Sequence, residues 1–193
     1  MTINYKLSSI NSIKGFTLVE LLIAIFIMTV IAGINIANFR ATEKQKRVVI
    51  ASDTVINAIR NAQNFTLAGK NTKNASPACR VPQYYYLSFN YSLTFAIVAL
   101  NNNTSICGTT VDTIESYALP TNTRIRANGI KLNGVSATSN MSLFFTPPFA
   151  SLTAGIDSGG IGTFTTATIT VESTDGSVSK TVTVDGVAGR IGE

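Results

Sequence analysis

The chain has 193 residues, 45% of them hydrophobic and only 13% charged, and its formal net charge is +5. That length holds one globular domain plus an additional element. With no histidine and only two cysteines, the chain lacks the commonest general base and the usual ligand set of a zinc site, and the basic balance is too small to specify a nucleic-acid partner.

Residues 1–15 are polar and carry Lys6 and Lys14 but no acid; beyond them thirteen basic side chains face ten acidic ones. That is the balance of a solvated, mildly basic surface. From Phe16 to Phe39 the sequence reads FTLVELLIAIFIMTVIAGINIANF, with one charge, Glu20. As a helix this run rises about 36 Å, enough to cross a bilayer core. It is too long for the apolar core of a secretory signal peptide, which also needs a small-residue cleavage site behind it. An ordinary transmembrane anchor fits the length but leaves Glu20 unexplained, because a carboxylate in a membrane costs a few kcal/mol unless it is shallow, protonated or paired. Lys14 precedes the run, and Arg40, Lys44, Lys46 and Arg47 follow it, so flanking charge does not fix its orientation.

The junction Lys14-Gly15-Phe16-Thr17-Leu18-Val19-Glu20 resembles the cleavage and methylation motif of type IV prepilins and type II secretion pseudopilins. The shared features are a polar leader with basic residues, Gly at the cut, Phe after it, an acid five residues into the mature chain and an unbroken apolar helix. The resemblance covers residues 14 to about 39. It implies that a prepilin peptidase cuts after Gly15 and methylates Phe16, and that the apolar helix is kept. It implies a bacterial inner-membrane protein with a single span and its globular part outside the cytoplasm, whose partners are major and minor subunits of the same filament. It also implies that Glu20 meets the N-terminal amine of a neighbouring subunit, where a low-dielectric helix bundle favours the pair and penalises a lone charge. A carboxylate resting at headgroup depth is the alternative reading of Glu20.

Residues 40–69 continue the helix in amphipathic form. Val48, Ser52, Val55, Ile59 and Ala62 recur at spacings of three and four, with Val49, Ile56 and Phe65 widening the stripe into a core-facing surface. Gly33 and Asn35 are local weak points, and Gly69 is a helix stop. Residues 70–193 have strand character. Tyr84–Phe89 and Leu93–Leu100 predict a hairpin around Asn90-Tyr91-Ser92. Cys79 precedes its first strand and Cys107 follows its second, so one disulfide is expected, two separate buried thiols being the alternative. Further strands are expected at Glu115–Leu119, Arg124–Ala127 and Met141–Thr146, the last ended by Pro147-Pro148. The Gly/Ser-rich stretch 150–162 predicts a flexible surface loop. Phe164–Glu172 and Val178–Val184 flank Thr174-Asp175-Gly176-Ser177, where Asp-Gly signals a tight hairpin turn.

The order predicts an α+β fold, a long N-terminal helix packed on an antiparallel sheet. Residues 51–68, the strand ending in Pro, the final hairpin and Gly189-Arg190 also resemble H-type minor pseudopilins and FimT-like minor pilins. No catalytic constellation, phosphate loop, cofactor motif or metal-ligand cluster stands in the sequence, so no enzyme activity is expected. Some FimT-like proteins are implicated in DNA uptake through a basic tail after such a Gly-Arg pair. Here the chain continues Ile191-Gly192-Glu193, without a second Arg. Phosphate affinity scales with the number of cationic contacts, so Arg190, with Arg124 and Arg126 as further candidates, makes DNA capture the weaker expectation and subunit contact the stronger. Within Tyr84-Tyr85-Tyr86, alternation puts at least one ring in the core.

Overall fold

The computed structural model describes residues 15–71, 81–101, 110–157 and 159–192, without the side chains of 34–38, 101 and 110. The fold is α+β. A single long helix, α1 (Leu18–Leu67), precedes β1 (Tyr84–Asn90), β2 (Thr94–Asn101), β3 (Thr110–Ala118), β4 (Thr123–Leu132), β5 (Val135–Ser136), β6 (Asn140–Thr146), β7 (Ser151–Ile156), β8 (Thr166–Ser173), β9 (Ser179–Asp185) and β10 (Ile191–Gly192). Two compact units divide between Thr42 and Glu43.

In the first unit the described apolar side chains of α1 are exposed. Leu18, Phe26 and Met28 are 77%, 66% and 70% exposed, and Leu21, Ile23, Ile27 and Ile31 are also open. Among the described residues no helix is long and apolar enough to cross a membrane.

In the second unit α1 buries one stripe. Val48, Ser52, Val55, Ile56, Ile59 and Ala62 are buried, as their spacing requires. Val49, expected to widen the stripe, turns outward at 41% exposure. The extra width comes instead from Ala51 and Ala58, both fully buried, whose small side chains let the helix backbone approach its neighbours closely. The helix stops at Gly69, where φ is +58°, a left-handed conformation that glycine adopts without steric penalty. Lys70 N–H donates to Phe65 O at 3.0 Å and Gly69 N–H to Thr66 O at 3.3 Å, the paired bonds of a Schellman cap. The Lys70 ammonium lies 3.7 Å from the Phe65 ring centroid.

The strands form two antiparallel sheets, not one. Their orders are β3-β2-β1-β6-β7 and β10-β9-β8-β4-β5. Tyr85, Leu87, Phe145, Ile130 and Ile169 from both sheets share one buried cluster with Val55 and Ile59 of α1. Tyr85 is the core member of the tyrosine run. Tyr84 and Tyr86 lie on the opposite face and both contact the Phe144 ring at 5.6 Å.

Three local expectations are corrected. Within the stretch 150–162, Ser151–Ile156 is a strand, because its register on β6 seats Ala154 opposite Leu143 in the core. The chain then folds back over β7, and Ala154 and Gly162 exchange both backbone hydrogen bonds. The turn at Asp175-Gly176 is a four-residue loop, with Ser173 N–H donating to Val178 O at 2.9 Å and φ of +72° at Gly176. The Asp175 carboxylate organises that loop by accepting from Ser173 Oγ, Ser177 N–H and Ser177 Oγ. Finally, β4 runs past Ala127 to Leu132 through a bulge. Between the pairs Ile125↔Val171 and Ile130↔Ile169, β4 takes five steps and β8 two, which pushes Arg126, Ala127 and Asn128 outward.

Candidate processing and assembly site

The residues that carry the processing motif lie where helix begins. Gly15, Phe16 and Thr17 are non-helical and α1 starts at Leu18. Phe16 is 87% exposed. Thr17 is the helix N-cap: its carbonyl accepts the first helical bond, from Leu21 N–H at 3.2 Å. Its hydroxyl oxygen accepts from Glu20 N–H at 3.3 Å. In return Glu20 Oε2 accepts from Thr17 N–H and from Thr17 Oγ1, each at 2.9 Å. This reciprocal arrangement is a capping box, in which two amides left without helical partners are satisfied by side chains. The Thr-x-x-Glu spacing that signals it stands in the sequence, but neither reading of Glu20, the intermolecular pair or the carboxylate at headgroup depth, includes this local cap. Thr17 is the functional candidate that reading missed.

The other candidate residues do not join this site. Cys79 and Cys107 lie outside the described residues. Arg124 Nε is 2.8 Å from Glu172 Oε1 and Arg126 Nε 3.6 Å from Glu172 Oε2. Glu172 is buried at 5% exposure, so two half-exposed guanidiniums compensate one buried carboxylate. Arg190 precedes β10, and two strands, β9 and β8, separate that strand from β4. Its carbonyl accepts from Asp185 N–H at 2.8 Å, closing the final turn. The three arginines therefore do not converge on one surface point.

Elsewhere in the second unit the charged groups act as structural ties. Lys44 pairs with Asp175, and Arg47 donates to Thr121 O and Oγ1 at 3.1 and 2.7 Å while pairing with Glu43. The Lys44 ammonium, then the Ser173 and Ser177 donors, hold the Asp175 carboxyl well below its ordinary range. Asp157 is held low by the backbone N–H groups of Thr138 and Ser139, then by Asn140 N–H and Ser139 Oγ. Burial pushes the Tyr85 and Tyr117 hydroxyls up to about 12.

An open groove of about 420 Å³ is lined by Gln63, Asn64, Leu67, Phe149, Leu152 and Val187, with no titratable side chain. Among the described residues no cluster of His, Cys, Asp or Glu could hold a metal ion.

No curated protein and no solved structure matches the chain. Residues 10–34 match the family model described as the prokaryotic N-terminal methylation motif, and that match, on the segment containing Gly15, Phe16 and the Thr17–Glu20 cap, supports a type IV pilin-like protein.

Proposed function

We propose that this chain is a minor pilin or pseudopilin, a non-enzymatic subunit of a type IV pilus or a type II secretion pseudopilus. A prepilin peptidase cuts after Gly15 and methylates Phe16. Residues 16–39 hold the protein in the bacterial inner membrane as a single span, with residues 70–193 outside the cytoplasm, and then enter the filament core beside other major and minor subunits. The observation that carries this reading is the contrast along α1. Beside a methylation motif, the apolar side chains from Leu18 to Ile31 are open, whereas further along the stripe of Val48, Val55, Ile56, Ile59 and Ala62 is closed into a core. An uncovered apolar helix of that kind needs lipid or other helices around it.

In the assembled filament Glu20 offers its carboxylate to the terminal amine of a neighbour. Its Oε2 is engaged by Thr17, and Oε1 has no partner among the described residues. Glu20→Ala should still be cleaved, because the Thr17 hydroxyl remains to cap the N-terminal amides, but its incorporation should fall. Co-purification with the major subunit checks this; incorporation equal to wild type would remove the role given to Glu20. The DNA-capture reading finds less support, since Arg124 and Arg126 are tied to Glu172 and Arg190 stands apart from them.

A further inference from the structure

From the reciprocal bonds between Thr17 and Glu20, we infer that Thr17 is a positioning residue for leader cleavage: its cap stops the helix two residues short of the Gly15–Phe16 bond and keeps that bond in the non-helical form a peptidase can bind. The inference rests on the prepilin reading and assigns to Thr17 a role in selecting where the chain is cut.

A protease must reach the carbonyl and both flanking amides of the bond it cleaves. A helical bond hides those groups in intrachain hydrogen bonds, so the boundary of α1 decides whether the junction can be read. That boundary lies between Thr17 and Leu18, and no proline holds it there. The nearest prolines in the chain are far downstream, the first being Pro77. Gly15 alone is a weak barrier, because a single glycine disfavours a helix only modestly. What opposes backward growth is the box. Thr17 N–H and Glu20 N–H already have acceptors at 2.9 and 3.3 Å, so extending the helix gains nothing for them.

Without the Thr17 hydroxyl the balance reverses. Glu20 N–H loses its side-chain acceptor, and the helix regains one for it only by growing back toward Gly15. One added turn toward the leader gives Glu20 N–H the Phe16 carbonyl as acceptor and moves the unpaired amides upstream toward water. The scissile bond then lies inside the helix. Because the peptidase binds only the non-helical fraction, its apparent affinity falls in proportion to that fraction, while the chemistry after binding is unchanged.

The test compares the full-length chain with its Thr17→Val and Thr17→Ser variants as substrates for membranes containing prepilin peptidase. Valine has the shape of threonine without the oxygen; serine keeps the cap. Thr17→Val should raise KM about tenfold with kcat within twofold of wild type, and Thr17→Ser should restore wild-type KM. In micelles, hydrogen exchange at the Leu18 and Val19 amides of the uncleaved chain, which gain i−4 acceptors when the helix grows back, should slow in Thr17→Val and return to wild type in Thr17→Ser. Wild-type KM for Thr17→Val, or an equal loss in Thr17→Ser, would overturn the inference. A product that does not begin at Phe16 in the wild-type chain would instead remove the prepilin reading beneath it.

Discussion

At the scale of single residues, Asp157 and Asp175 are the fasteners of strand connections. Asp157 accepts from Thr138 N–H at 2.8 Å, Ser139 N–H at 2.6 Å and Asn140 N–H at 3.2 Å, tying the end of β7 to the start of β6. With Asp175, it has a carboxyl held below its ordinary range in the fold. The sign of the linkage follows: their stabilisation is full above the unfolded value, about 3.9, and is lost as pH falls through the folded values. The melting temperature of the detergent-solubilised chain should therefore be flat above about pH 5 and drop below about pH 4. The Asp157→Asn variant, which keeps an acceptor without the charge, should show a shallower drop. The tyrosines give the opposite limb. Tyr85 is fully buried and donates its hydroxyl to Lys70 O, and its value is pushed up to about 12 by burial. Its stabilisation is complete below about 10 and declines as pH rises from there toward 12. Tyr85→Phe removes that hydroxyl and should cost about 1 kcal/mol at neutral pH, read from denaturant unfolding.

At the scale of elements, period and punctuation were what made the sequence readable. The stripe Val48, Ser52, Val55, Ile59, Ala62 located the core face of α1 because a helix repeats every three to four residues, and Gly69 marked its end because the cap needs a left-handed residue there. The strands β1, β2, β6, β8 and β9 were visible as β-branched and aromatic runs. What was not visible depended on partners distant in the chain. Ser151–Ile156 contains Gly155 and small polar residues, and becomes a strand only because β6 offers it an edge. The bulge in β4 arises from its register on β8, fixed some forty residues later. That the strands split into two sheets could not be read from their order alone. At the cap, Thr-x-x-Glu is legible as a spacing, but whether Glu20 turns back to Thr17 or out to a neighbour depends on the side-chain rotamer, which spacing does not specify. Two substitutions test the packing account. Ile59→Ala empties a fully buried position and should cost about 2–5 kcal/mol. Gly186→Ala would place a Cβ 2.1 Å from the Phe164 backbone oxygen, a clash no rotamer relieves, and should destabilise the chain or abolish its folding. A melting temperature within a degree or so of wild type would contradict the register of that turn.

For the whole molecule, the two units meet opposite physical demands. The segment beginning at Phe16 exposes large apolar side chains and makes its described hydrogen bonds locally, so its stability depends on surroundings the single chain does not provide. The second unit closes its own core and satisfies its buried side-chain polar atoms among the described residues. A filament subunit needs that division, one part to be buried by others and one part folded by itself. The central claim is that the first part begins at Phe16 after removal of a fifteen-residue leader. Intact mass measurement of the chain extracted from membranes of cells with and without prepilin peptidase tests it most directly. The account predicts a chain beginning at Phe16 and bearing one N-terminal methyl group when the peptidase is present, the full-length chain when it is absent, and the full-length chain in both for Gly15→Val. A mature protein that begins at any other residue, or that starts at Phe16 without the peptidase, would contradict it.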